Sequence, residues 1–125
     1  AVAWEDLRDS RYEIYLAILD PTGAQLGSDV RITDIIHASD DPTPVWNGDQ
    51  LGLLWRDRRD GDYEMYFTLV ADDGSKLVTD VRLTDNASYK SYSTMVRGDG
   101  TFHALWMDDE YGNREILSLF IDHCP

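Results

Sequence analysis

An all-β protein is what this sequence predicts, and three observations carry that expectation. Short aromatic and β-branched runs such as "LGLLW" and "YEMYFTLV" are punctuated by Gly, Asp and Asn clusters such as "ADDGSK", the pattern of strands and tight turns. No long segment has helical period. The chain also repeats itself: Trp4, Trp55 and Trp106 are spaced 51 and 51 apart, and so are Asp6, Asp57 and Asp108, and Glu13, Glu64 and Glu115.

The recurrence extends beyond these positions. Residues 4–34 align with 55–85 without a gap, with 14 identities in 31 positions, among them Arg8, Asp9, Tyr12, Tyr15, Arg31, Thr33 and Asp34. One segment of each repeat is apolar on both faces. In residues 63–70, Tyr63, Met65, Phe67 and Leu69 share one face, and Glu64, Tyr66, Thr68 and Val70 the other. A sheet with one wet face alternates apolar with polar, so this strand must be covered on both sides. Four short antiparallel strands per repeat, each sheet packed between two neighbours, describe the blade of a β-propeller. The repeat length is also close to the roughly 50 residues of kelch-size blades. A β-sandwich is the competing all-β reading, but it needs no such self-similarity.

With strands lettered A to D from the inside of a blade outward, each element follows from its composition. Repeat 1, residues 1–34, supplies B, C and D. Repeat 2, residues 41–85, supplies A ("TPVWN", from about residue 43), B ("LGLLW"), C ("YEMYFTLV") and D ("VRLTD"). Repeat 3, residues 91–125, supplies A, from about residue 93, then B and C. Ten strands make about two and a half blades, whereas a ring needs about four to eight. Alone, such a chain leaves two apolar sheet faces and several strand edges open. The expectation is a partial β-propeller, completed by oligomerisation or by the remainder of a longer propeller.

The charged loop "RDRRDGDYE" between B and C reads as structure before chemistry. An Asp two residues after the strand Trp can accept loop N–H groups, and Gly61 or Gly112 can take positive φ. A Glu on a covered strand needs a cation, so Glu13 and Glu64 are expected to pair with Arg31 and Arg82, or with Arg8 and Arg59, across or between blades. The structural repeat set is therefore Trp4, Asp6, Glu13, Arg31, Trp55, Asp57, Glu64, Arg82, Trp106, Asp108 and Glu115.

On these residues the chain resembles the Trp-x-Asp-x-Arg-Asp-Gly-x-x-Glu-Ile-Tyr repeats of bacterial secreted and cell-surface β-propellers, sialidase-like or kelch-like in architecture. The stretches "AVAWEDLRDSRYEIYLAILDPTG" and "LLWRDRRDGDYEMYFTLVADDG" carry the resemblance, which covers nearly the whole chain. It implies an extracellular or cell-surface location. Repeat 3 departs from the pattern, with Glu110, Tyr111, Arg114 and Leu117 at the Arg, Asp, Tyr and Tyr positions, which suggests an end or interface blade.

Composition narrows the function classes. With 11 Lys and Arg against 24 Asp and Glu, the chain carries −13 and has a pI near 4.3; it repels phosphate backbones and anionic lipids, so nucleic acid is not an expected partner. No apolar run approaches the roughly 20 residues of a membrane-spanning helix, so no membrane insertion is expected, and "AVAWED" reads as strand rather than as a targeting segment. A lone Cys124 allows no intrachain disulfide or Cys-based zinc site. No EF-hand pattern is present; "ADDGS" and "DRRDGDYE" leave calcium as a possible cofactor, with turn chemistry as the alternative. His37, His103 and His123 have no ligand spacing. "SDDPTPVW", residues 39–46, shares only Ser, Asp and Trp with a sialidase Asp-box and is expected to precede an A strand. "RGD", residues 97–99, aligns with the turn "NGDQ" and reads as a hairpin; "NAS", residues 86–88, is a glycosylation sequon.

The expected function is a non-catalytic binding, adhesion or scaffold module for carbohydrate or protein. Trp46, Arg58, Arg59 and Asp60 are nominated as ligand contacts. A glycosidase with one site on the propeller axis is the alternative: a binding ring should repeat its polar pocket in each blade, a hydrolase should show one unlike cluster.

Overall fold

Asp- and Gly-anchored turns fold the chain into successive antiparallel strands. The computed structural model describes residues 1–122; His123 and Cys124, and with them the expectations on that histidine and thiol, lie outside the described residues. The first sheet contains β1 (Val2–Asp6), β2 (Glu13–Leu19) and β3 (Gln25–Arg31), paired in that order. The second contains β4 (Ser39–Trp46), β5 (Leu51–Asp57), β6 (Glu64–Val70) and β7 (Val81–Arg82). The third contains β8 (Lys90–Arg97), β9 (Thr101–Asp108) and β10 (Glu115–Asp122). The fold is all-β, in three small antiparallel sheets.

The turns recur with the repeat in their glycine, while the aspartate that braces each sits at a different place in the turn. Asp20 Oδ1 accepts from the Thr22 and Ala24 N–H groups at 2.8 and 3.0 Å, and Asp73 Oδ1 from Ser75 N–H at 2.8 Å, with Gly23 and Gly74 both at φ 88°. Asn47 Oδ1 closes the β4–β5 hairpin by accepting from Asp49 and Gln50 N–H. The "RGD" stretch is the β8–β9 hairpin, closed by Gly98 N–H to Thr101 O at 2.9 Å.

Three boundaries differ from expectation. The strands β4 and β8 start at Ser39 and Lys90, a few residues early, because each contains a bulge, between Asp40 and Thr43 and between Ser91 and Thr94. Asp41 and Tyr92, 51 apart, sit there at φ 53° and 50°, and Pro42 offers no N–H to the ladder, so the pattern of alternation breaks before the strand does. "SDDPTPVW" is therefore the strand β4 itself and does not precede it. The expected "VRLTD" strand is shorter than its sequence suggests, pairing only through Val81 and Arg82.

All seven residues of β6 are buried, and the two faces pack into different cores. Tyr66 and Val70 join Leu51, Leu53 and Trp55 against Ile14, Leu16 and Ile32 of the first sheet side. Met65, Phe67 and Leu69 join Leu54 against Met95, Phe102, Ala104 and Trp106 of the third. The middle sheet is thus dry on both sides because a sheet lies on each. Among the described residues the third sheet has no such cover on its far side: Ile116 and Phe120 are 68% and 66% exposed, where their counterparts Met65 and Leu69 are 0% and 4%. Covering a side chain of this size contributes about 1.5–3 kcal/mol, so this face holds unspent association energy. Among the described residues no helix is long and apolar enough to cross a membrane.

The joint between the second and third sheets closes on a glycine. A Cβ on Gly52 would lie 2.6–2.9 Å from three ring atoms of fully buried Phe102. Gly52→Ala is expected to lower stability by about 1–3 kcal/mol through overpacking, measured as a shift in urea midpoint; an unchanged midpoint would mean this joint is looser than described.

Candidate functional site

Three polar arrangements stand out, two repeated and one not. The first begins at the strand Trp. Indole Nε1 of Trp4, Trp55 and Trp106 donates to Oδ2 of Asp6, Asp57 and Asp108 at 2.9, 2.9 and 3.0 Å. The other carboxylate oxygen accepts the N–H two residues on, of Arg8, Arg59 and Glu110, at 2.8, 2.8 and 2.9 Å. Each Asp thus ties the end of a strand to the loop that follows. Arg8 and Arg59 complete this brace and reach Asp29 and Asp80 as well, while their guanidinium groups lie 4.1 and 4.3 Å above Tyr15 and Tyr66. Repeat 3 has Glu110 in place of the arginine and lacks that layer.

The second arrangement is a clasp on the recurring Glu. Glu13, fully buried, accepts from Arg31 Nη2 at 3.1 Å, Thr33 Oγ1 at 2.5 Å and Ile35 N–H at 3.2 Å. Glu64 accepts from Arg82 Nη2 at 2.9 Å, from Thr84 Oγ1, and from Asn86 N–H at 3.0 Å. Each Thr hydroxyl also accepts the N–H after its Glu, Ile14 or Met65, at 2.9 Å. The expected Glu–Arg pairing is present, with two corrections. Arg31 and Arg82 lie on the strand next to the Glu in the same sheet, since adjacent strands bring their side chains closest. Arg8 and Arg59 serve Asp6 and Asp57 instead, because a loop arginine folds back on the nearest carboxylate.

Burial works against ionisation of Glu64, but hydrogen bonds from Thr84 and Arg82 and the charge of Lys90 outweigh it and hold its pKa below the usual 4.5. Asp57 is likewise held low: burial opposes, and the Arg59 and Trp55 bonds prevail. Asp108 follows the same balance through Ser88 and Trp106.

Sequence reasoning missed Lys90. It is fully buried, and its ammonium donates to Asn86 Oδ1 at 2.6 Å and to Ser88 O and Oγ at 3.1 Å, with Glu64 Oε2 at 3.3 Å. It carries a cation from the third sheet to the clasp of the second, and it engages the carboxamide of the "NAS" sequon. At the preceding joint the matching residue is Ser39, and Arg11 supplies the cation, 2.9 Å from Glu13. The two joints solve one problem with unrelated residues, so no repeat signal marked Lys90.

The third arrangement is a polar cavity of about 460 Å³ between the second and third sheets. Arg56 forms its floor: Nε lies 2.8 Å from Asp40 and 3.2 Å from Asp41, and Nη1 donates to Lys90 O at 2.8 Å. Its charged form is favoured, since the Asp40 bond and both carboxylates outweigh the burial that opposes it. Asp41, Thr43, Tyr89, Ser91 and Tyr92 line the walls. The Ser91 hydroxyl is buried and has no hydrogen-bond partner among the described residues, nor has that of neighbouring Ser93. Tyr92 is 80% exposed at its bulge. The cluster is not repeated: Asp40, Asp41 and Arg56 correspond to Ser91, Tyr92 and Met107.

The nominated residues do not form a site together. Trp46 pairs with Leu51 at one end of β5 and borders a shallow apolar hollow of about 220 Å³. Arg58, Arg59 and Asp60 follow Asp57 at the other end, a strand length of about 20 Å away. Arg59 is held by Asp57 and Asp80, and Asp60 accepts from the Tyr66 hydroxyl; Arg58 lies over Tyr63. His37 is exposed and His103 stacks on Phe120 at 4.0 Å. Asp73 of "ADDGS" serves the turn, and among the described residues no group of three His, Cys, Asp or Glu side chains is arranged to hold a metal ion. Comparison with protein-family models, curated proteins and solved structures yields no match.

Carboxylates with depressed pKa contribute stability above their unfolded values, 3.8 for Asp and 4.5 for Glu, and lose it as pH falls through the lower folded values. The urea midpoint is therefore expected to be flat from pH 7 to about 5 and to fall steeply below about 4. Asp57→Asn should cost about 2–3 kcal/mol at pH 7 and flatten the acid limb; an unaltered limb would remove Asp57 from the account.

Proposed function

We propose that this chain is a portion of a β-propeller acting as a non-catalytic binding or scaffold module outside the cytoplasm, closed into a ring by further copies or further blades. The observation that carries the reading is the matched stacking of sheets at a 51-residue interval. In each joint Ile14 and Leu16, or Met65 and Phe67, meet the Leu53/Trp55 or Ala104/Trp106 pair of the next sheet. The outer sheets offer the two halves of one more such joint. Exposed Val2 and partly exposed Trp4 stand on one free face at the positions of Leu53 and Trp55, and Ile116 and Phe120 on the other at those of Met65 and Leu69. A head-to-tail contact of this kind generates a ring if its rotation closes, and two copies would bring six sheets.

The ligand reading centres on the Arg56 cavity, not on the residues nominated from sequence. Arg56 is already compensated by two carboxylates, so a further anion gains little there. Hydroxyls of Ser91, Thr43 and Tyr89 beside the exposed ring of Tyr92 suit a neutral saccharide, whose polar rim and apolar faces need both. One observation favours the glycosidase alternative: the cluster is singular, where a binding ring was expected to repeat it. Glycan-array binding that falls at least about tenfold in Tyr92→Ala supports the module; release of a chromogenic aglycone, abolished in Asp41→Asn, would support the hydrolase.

Light scattering at several concentrations tests closure. The expected result is a mass above 14.3 kDa that falls on dilution and falls at once in Phe120→Asp. A folded monomer at every concentration would contradict the ring of copies.

A further inference from the structure

The Arg56 cavity does not stand alone. Tyr89, on one of its walls, also borders a second pocket of about 170 Å³, lined by Arg58, Asp62 and Tyr63 from the β5–β6 loop and by Ala87 and Ser88. Tyr63 connects the two arginines: the Arg56 guanidinium lies 4.5 Å from its ring centre and that of Arg58 5.2 Å from it. Both pockets are lined only by residues of the second and third sheets and of the loops that adjoin them, so each has both of its sides in place.

The polar groups of the second pocket are free to act on a ligand. Arg58 is exposed; its Nε donates to Gly61 O at 3.4 Å, and neither Nη group makes a hydrogen bond or an ion pair among the described residues. Asp62 is exposed and equally unpaired there, and no ion pair joins the two. The stack on Tyr63 holds the guanidinium in place. A cation and a carboxylate in one pocket offer little net charge to an ion, but they set a fork of donors beside a pair of acceptors, which suits adjacent hydroxyls.

Between the pockets stands an aromatic shelf. Tyr89 is 52% exposed, and its backbone is tied on both sides: its N–H donates to Asp109 Oδ1 at 2.7 Å, and the carbonyl of the next residue, Lys90, accepts from Arg56 Nη1 at 2.8 Å. A ring held this way meets the apolar face of a sugar with little further ordering.

Resting on the saccharide reading of the Arg56 cavity, we infer that this cavity and the Arg58 pocket are two subsites of one site, whose ligand is a neutral oligosaccharide chain laid across Tyr89. One unit occupies the Arg56 cavity beside Tyr92, and a later unit takes Arg58 as donor and Asp62 as acceptor. Each contact alone is weak. Once the first unit is held, the second meets its subsite at high effective concentration, so a chain binds where a single sugar does not hold. The net charge of −13 disfavours acidic chains.

Isothermal titration calorimetry of the intact protein tests this with neutral gluco-, manno-, galacto- and xylo-oligosaccharides, from monosaccharide to hexasaccharide, and with an oligogalacturonate series. In at least one neutral series, affinity is expected to rise at least about tenfold from monosaccharide to tetrasaccharide. Arg58→Ala and Asp62→Ala are each expected to abolish that rise. Both side chains are exposed on a loop, so the variants keep their fold, which circular dichroism checks. Equal affinity at every length, a rise that persists in both variants, or tighter binding of the galacturonate series than of any neutral one would overturn the inference and leave the saccharide reading standing. No binding in any series at millimolar sugar would overturn both.

Discussion

A strand that is apolar on both faces cannot end a structure, and that constraint organises this one. β6 buries all seven of its residues, divided between two separate cores. Neither core exists without a second sheet, so the stability of the middle sheet is a property of the stack. The first and third sheets each satisfy one side of the requirement and inherit it on the other. Exposed Ile116 and Phe120 are the same constraint, unmet.

Apolar stacking does not fix how the strands line up; the carboxylates do. A buried carboxylate without partners would cost several kcal/mol, so each one requires its donors to arrive together. Glu13 and Glu64 collect a guanidinium from the end of the neighbouring strand and a hydroxyl and a backbone N–H from the segment after it, and a slip of one residue would turn all three away. The Trp–Asp brace does the same for the following loop. Electrostatics here contributes specificity of register.

What could be read from sequence was what recurs. Ten strands in groups of three, four and three follow from the repeat, and so does the Glu–Arg pairing, because two copies of one pattern separate signal from accident. The bulges at Asp41 and Tyr92 were not legible: a left-handed residue that is not glycine leaves no compositional mark. Lys90 and Arg56 were missed because each acts across a joint between sheets, through residues that do not repeat. Trp46 was nominated beside Arg58–Asp60 since both are exposed and polar-flanked in the sequence, but β5 holds them at opposite ends.

Amide hydrogen exchange tests the dependence of the middle sheet on its neighbours most directly. At low protein concentration, the interstrand amides of β5 and β6 should exchange last and together, at the rate of global unfolding, with those of β1 and β10 exchanging earlier through local opening. Protection of β10 equal to or beyond that of β6, or loss of β6 protection while the first and third sheets stay closed, would contradict a stack whose centre is kept dry by its flanks.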